Sequence, residues 1–251
     1  MAYHFWDDKL FDRQLDLLTS AVRETWHQCG LLKTVLVVNR LTRKLEDFAA
    51  ASSGLVRLDL CPDLTPGNLY SMSVDCILRL HARVDTEHIL IVQNDGFPVR
   101  PNLDAFLWKY DYIGAPWRFN KDDKLTRFFL RHRNDVGNGG FSLRSKHLCE
   151  MTSWYYQRKY KFIPQCYLIT EDFFICRTLP SLEKRFRETV RIAPAETAAT
   201  FSLEENIDLY RAVQTPPFGF HGPSAFAHLQ SEGLIPNEGS TAKINNGNAN
   251  D

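Results

Sequence analysis

Two short apolar runs, Thr34 to Val38 (TVLVV) and Ile89 to Val92 (ILIV), constrain this chain more than any other feature. A strand with water on one face alternates apolar and polar residues. An uninterrupted apolar strand must be covered on both faces, which is the situation in a parallel sheet packed between helices. The segments around these runs have helical spacing. Phe11, Leu15, Leu18, Val22 and Trp26 recur every three or four residues before Gly30, and Met72, Cys76, Leu80 and Val84 do the same within Leu69 to Val84. Leu55 to Leu60 repeats the strand signal more weakly, and Pro62 to Gly67 is a turn cluster. Helices alternating with buried strands predict an α/β fold with a Rossmann-like, mostly parallel sheet flanked by helices. Such sheets bind ligands at the carboxyl ends of their strands. The second run leads directly into Gln93-Asn94-Asp95-Gly96, and Asp95 is therefore placed for chemistry.

Farther along, Leu103 to Trp108 reads as a short helix and Tyr112-Ile113 as a short strand. Arg118 to Asp135 reads as a charged loop, Val136 to Ser142 as turn-rich, and Ser145 to Tyr156 as a helix. Asp172 to Arg187 is helical as far as Pro180 allows, and Phe201 to Leu203 is a final strand. Beyond Pro236 the Asn- and Gly-rich sequence has nothing to bury, so a single domain over residues 1–235 and a disordered polar tail over 236–251 are expected.

Lys plus Arg and Asp plus Glu number 30 each, so no net field exists to hold a nucleic acid or an anionic membrane. Any anion must be bound locally. Six cysteines, Cys29, Cys61, Cys76, Cys149, Cys166 and Cys176, lack zinc-site or C-x-x-C spacing and read as reduced, mostly buried thiols. Met1 to Lys9 is polar and aromatic rather than a leader, and no apolar run approaches the roughly 20 residues of a membrane span. The expected location is cytoplasmic, or peripheral at a membrane.

Four features could carry chemistry. Asp95, at a strand end, could bind a divalent cation that holds phosphates. Asn138-Gly139-Gly140, within VGNGG, would let main-chain N–H groups approach a sugar or phosphate. Glu171-Asp172 opens a helix, where a carboxylate can serve as a cap or as a base for an attacking hydroxyl. His221, in the aromatic turn PFGFHG, could complete a metal site or cap the loop.

In that order these features resemble the layout of the GT-A glycosyltransferases. More closely, the segments at Ile91 to Asp95, Asp111 to Trp117 (DYIGAPW), Val136 to Ser145 (VGNGGFSLRS), Glu171 to Phe174 and Pro217 to Gly222 resemble a glycosyltransferase-like family labelled a domain of unknown function. The resemblance spans roughly residues 34 to 225 and implies a hexosyltransferase-type enzyme that takes a nucleotide-sugar donor and a saccharide or glycoconjugate acceptor. It implies Asp95 as a ligand of Mn²⁺ or Mg²⁺ and His221 as a second metal or phosphate contact. Asp172, or failing it Glu171, would be the base of an inverting displacement. Asn94, Asn138, Gly139 and Gly140 would line the donor, Asn39, Arg40 and Asp59 would lie near the base and ribose, and Trp117 and Phe220 would be sugar-stacking surfaces or core residues.

Many GT-A enzymes carry Asp-x-Asp where this chain has Gln93-Asn94-Asp95. One carboxylate holds a hard cation less firmly than two. The cations from Arg118 to Arg133 could neutralise a diphosphate directly. A non-catalytic carbohydrate- or nucleotide-binding module on the same fold is the alternative. A nucleotidyltransferase fits less well, because Val38-Asn39-Arg40-Leu41 stands where a Gly-rich basic loop would follow the first strand.

Overall fold

The computed structural model describes residues 2–5, 11–65, 68–117, 135–162 and 170–235. Its strands are β1 (Ala2–Phe5), β2 (Thr34–Val38), β3 (Val56–Leu60), β4 (His88–Val92), β5 (Gly96–Pro98), β6 (Tyr112–Ile113), β7 (Phe141–Ser145), β8 (Ser202–Leu203) and β9 (Gly219–His221). The main sheet has the order β3-β2-β1-β4-β7-β6. β1 to β4 pair parallel, whereas β7 runs antiparallel to both β4 and β6. A smaller sheet, β5-β9-β8, lies beyond the carboxyl end of β4.

Burial follows the pleat. Leu36, Val38, Leu90 and Val92 face one side with Leu15, Leu18 and Val22 of α1 (Phe11–Cys29). Val35, Val37, Ile89 and Ile91 face the other, against Met72 and Leu80 of α3 (Leu69–Arg83) and Cys149 of α4 (Lys146–Tyr155). TVLVV is buried throughout because each alternate residue meets a different helical layer.

Several elements differ from the sequence reading. β1 carries no β-branched residue, and α2 (Arg43–Ala51) buries only Leu45, so neither had a strong periodic signal. α2 is set locally, by Thr42 Oγ1 accepting from the Leu45 N–H at 3.3 Å. The turn-rich reading of Val136 to Ser142 ends at Gly140, since β7 is a fully buried strand. Leu103–Ala105 is one 3₁₀ turn rather than a helix to Trp108. Helices continue with α5 (Glu171–Phe173), which passes through a π turn at Phe174–Thr178 into α6 (Leu179–Leu182), then α7 (Lys184–Thr189), α8 (Ala195–Phe201), α9 (Ile207–Val213) and α10 (Pro223–Ser231). Cys61, Cys76, Cys149 and Cys176 are buried free thiols and Cys29 is partly buried. Cys166, nearly all of the Arg118 to Asp135 loop and the 236–251 tail lie outside the described residues. Among the described residues no helix is long and apolar enough to cross a membrane.

The sheet and the helix at Glu171 are joined by a buried ion pair. Arg144 of β7 is 1% exposed and Glu171 is 4% exposed, with Nη2 and Oε1 2.9 Å apart. Ser73 Oγ of α3 donates to Glu171 Oε2 at 3.3 Å, and Arg144 Nε donates to Ser142 Oγ at 3.1 Å. The guanidinium lies 5.3 Å from the Tyr112 ring centroid, and the Tyr112 hydroxyl donates to the Gly137 carbonyl at 3.0 Å. At the same strand ends Asp111 accepts from Ser145 Oγ and from the Arg191 N–H, each at 2.8 Å. One charge left alone in such a place is costly, whereas removing both is often nearly neutral. Arg144→Met should therefore lower unfolding stability by about 3–5 kcal/mol in urea titrations, and adding Glu171→Leu should recover most of that loss. A double variant no more stable than Arg144→Met would show that the two side chains do not act as a pair.

Candidate functional site

The cleft forms where chain leaving β4 meets chain entering β7. The Gln93 N–H donates to the Gly140 carbonyl at 3.0 Å, just past the last pair of that ladder, Val92 with Phe141. A hollow of about 170 Å³ opens there, bordered by Gln93, Asn138 to Gly140, Glu171, Asp172, Glu204 and His221, with Met72 and Thr170 beside them. The structure thus gathers six of the sequence-predicted residues: Asn138, Gly139, Gly140, Glu171, Asp172 and His221. Asp95 joins them through His221, and Asn94 shares its turn.

Glycine is required at the two central positions of the loop. A Cβ at Gly139 would lie 2.3 Å from Glu171 Oε1 and 2.8 Å from Arg144 Nη2. A Cβ at Gly140 would lie 2.3 Å from both Cε1 and Nε2 of His221. The loop is pressed between the buried ion pair on one side and the imidazole on the other. Asn138 takes a left-handed backbone, φ 47°, which Asn tolerates better than most residues.

The two carboxylates at the start of α5 have different surroundings. Glu171 points inward to Arg144. Asp172 points to the loop, where Oδ2 accepts from the Gly139 N–H at 3.0 Å. Its Oδ1 accepts from the Phe173 N–H at 2.7 Å and from the Thr170 hydroxyl. Burial, and then the neighbouring Glu171 charge, push the Asp172 carboxyl up to about 6, against the lowering effect of these donors. It is therefore largely ionised at neutral pH, though a weaker acid than an ordinary Asp.

His221 ends β9 and is held on both sides. Nδ1 is 3.0 Å from Glu204 Oε1, while Nε2 is 2.9 Å from Gln93 Oε1 and 3.1 Å from Asp95 Oδ1. Burial lowers the basicity of the ring, but the hydrogen bonds and charges of Asp95 and Glu204 outweigh it and raise the imidazole to about 10. Burial likewise pushes Asp95 up, and the His221 hydrogen bond and charge bring it below its ordinary value. Oxygen atoms face both ring nitrogens, so without a cation the protonated ring is favoured, and a cation bound at Nε2 would displace the proton there while Nδ1 kept its own.

Gln93 Oε1, Asp95 Oδ1 and His221 Nε2 are the atoms able to share a divalent cation. They offer amide oxygen, carboxylate oxygen and imidazole nitrogen, a set compatible with Mn²⁺ or Mg²⁺. Among the described residues no group of three or more His, Cys, Asp or Glu side chains is arranged to hold a metal ion. A cation here would depend on its other ligands.

The remaining sequence-predicted residues lie elsewhere. Asn39 and Arg40 leave β2, on the same edge of the sheet but two strands away from β4, and neither borders the hollow. Asp59 of β3 accepts from Arg83 Nε at 2.5 Å, and Arg83 also pairs with Asp75. Trp117 packs against Gly137, with the Arg177 guanidinium 5.0 Å from its ring centroid. Phe220 is 1% exposed, its ring set edge-on to Phe97 and against Phe226 in the core of the small sheet. Of the two readings open for Phe220, the buried ring fits the core one. Gln93, Thr170 and Glu204 are site residues that sequence reasoning did not single out. Glu204 had one available signal, a carboxylate directly after the strand at Ser202–Leu203.

No curated protein matches the sequence. Among solved structures, the galactosyltransferase LgtC in complex with donor and acceptor sugar analogs superposes over 96% of this chain and 99% of its own, at 14% identity and a TM-score of 0.55. An active-site mutant of LgtC gives 16% identity and a TM-score of 0.54 over 89% of this chain and 88% of its own. At such identities the likeness is one of fold, and the chain has the α/β fold of the GT-A glycosyltransferases. The family described as "Protein of unknown function (DUF5672)" matches residues 79–221, more than half of the 251 residues and nearly every element of the cleft, and the chain belongs to that family.

Proposed function

We propose that the protein transfers a sugar from a nucleotide-sugar donor to a hydroxyl of a saccharide or glycoconjugate acceptor, with inversion at the anomeric carbon. The observation that carries this reading is the opposition, across one small cleft at the carboxyl end of β4, of a cation-holding group, Asp95 with His221, and a carboxylate at Asp172. Fold alone would not license it. The leaving diphosphate is anionic and would suit the first side once a cation is held there, and the attacking hydroxyl, which must lose a proton, suits the second.

Asp95, Gln93 and His221 would hold Mn²⁺ or Mg²⁺, which supplies Lewis-acid neutralisation of the diphosphate. The backbone of Gly139 and Gly140 would lie against the donor sugar. Asp172 would accept the acceptor hydroxyl proton as that oxygen bonds to the anomeric carbon and the bond to the diphosphate breaks. Glu171 is not suited to that role, because it is buried and committed to Arg144. The three donors already on Asp172 favour a second reading, a binding module that takes the nucleotide and does not turn it over.

A thermal-shift screen of UDP, GDP, CMP, dTDP and ADP, with and without Mn²⁺, separates the readings from a structural relic. At a hundred times its Kd a ligand adds about 2.7 kcal/mol of stability. One nucleotide should raise Tm in a Mn²⁺-dependent way, and no shift with any of them would overturn nucleotide use. Once the donor is known, Asp172→Asn should keep donor binding and lower transfer by about 10²–10⁴-fold. Transfer by the natural protein should fall as pH drops below about 6, because a base must be ionised to act. Binding without transfer, for every acceptor class tried, would favour the module.

A further inference from the structure

We infer that Glu204 is a positioning residue that fixes the His221 ring and its tautomer, so that Nε2 is presented to the same point as Asp95 Oδ1 and Gln93 Oε1. This rests on the proposed metal-assisted transfer, because it matters only if Nε2 binds a ligand there.

The small sheet places the three groups. β9 is its middle strand, with Leu203 of β8 beside Phe220 on one side and Gly96 of β5 opposite His221 on the other. One residue beyond Leu203 is Glu204, and one residue before Gly96 is Asp95. The register alone brings carboxylates to opposite edges of one imidazole, and the Gly222 N–H, donating to the Asp95 carbonyl at 2.9 Å, locks that register at the turn. Gly140 closes one face of the ring, since a Cβ there would touch it. The ring can tilt little.

Its nitrogens are therefore distinguished by what faces them. Nδ1 meets Glu204 Oε1 alone, at 3.0 Å, and Nε2 meets Gln93 and Asp95. A carboxylate that accepts from one ring nitrogen keeps the proton there and leaves the other nitrogen's lone pair for a ligand, and losing such a partner typically costs about 10–100-fold in metal affinity. Glu204 Oε2 is buried and has no hydrogen-bond partner among the described residues. A carboxylate kept only for stability would be a poor choice with one oxygen so placed, because desolvation without a partner is unfavourable.

The test uses Mn²⁺, alone and with UDP, followed by water-proton relaxation on the full chain, for the natural protein, Glu204→Ala and Glu204→Gln. Glu204→Ala should bind Mn²⁺ about 10–100-fold more weakly. Glu204→Gln should fall between, since its amide oxygen still accepts the Nδ1 proton without the charge. Long-range ¹H–¹⁵N spectra of the imidazole with diamagnetic Mg²⁺ should place the proton on Nδ1 in the natural protein and lose that preference in Glu204→Ala. Those spectra would not change if Glu204 served only to hold the small sheet. If Mn²⁺ binds the natural protein and Glu204→Ala equally tightly, the positioning role is overturned and the metal site stands. If the natural protein binds no Mn²⁺ in either condition, the metal reading fails and the role of Glu204 falls with it.

Discussion

The buried contact between Arg144 and Glu171 is the constraint around which the site is arranged. A guanidinium and a carboxylate removed from water cost several kcal/mol each unless they meet each other in good geometry with further hydrogen bonds. Here Ser73 serves the carboxylate, Ser142 the guanidinium and the Tyr112 ring its face. Three distant parts of the chain thus converge on one point: α3, the β6–β7 pair and the first turn of α5. The residue after Glu171 is then brought to the glycine loop. Asp172 meets the Gly139 N–H because its neighbour is anchored from behind.

That arrangement separates two carboxylates that look equivalent in sequence. Glu171 is an internal tie and Asp172 faces the cleft, and the difference comes from a helical turn that sends adjacent side chains in different directions. Burial of Asp172 itself, and then the negative charge of Glu171 beside it, leave Asp172 a weaker acid than usual. On the other wall, His221 holds positive charge between Asp95 and Glu204. The site carries its own counter-charges, in keeping with a chain whose acidic and basic residues balance at 30 each.

Much of this fold was legible because its strongest signals were hydrophobic. TVLVV and ILIV read as strands covered on both faces and Leu69 to Val84 as a helix, and the structure has each of them. β1 was not legible: its four residues lack β-branching, and its place between β2 and β4 is decided by pairing partners far along the chain. For the site, a glycine-rich loop, a Glu-Asp pair and a late His were visible, and the structure gathers them. What the sequence did not display was which groups surround them. Glu204 and His221 are 17 positions apart, Gln93 and His221 are 128, and only strand register makes them neighbours. The aromatic residues were the hardest to assign, since a ring able to stack on a sugar and a ring packed in a core look alike in sequence. Phe220 lies in the core because β9 is the middle strand of its sheet.

The glycine loop shows why the cleft lies where it does. Gly139 touches the Arg144–Glu171 pair and Gly140 touches His221, so one dipeptide separates the anchor of one wall from the imidazole of the other. A side chain at Gly139 would push on a buried ion pair, and one at Gly140 would push on the ring. The two walls are thus set by the same few atoms of backbone. The distance between Asp172 and the Asp95–His221 pair is then a property of the loop rather than of either side chain. A ligand bound between the walls would meet a span fixed before it arrives, and such preorganisation is what a site requires when its charged groups are to act without reorganising.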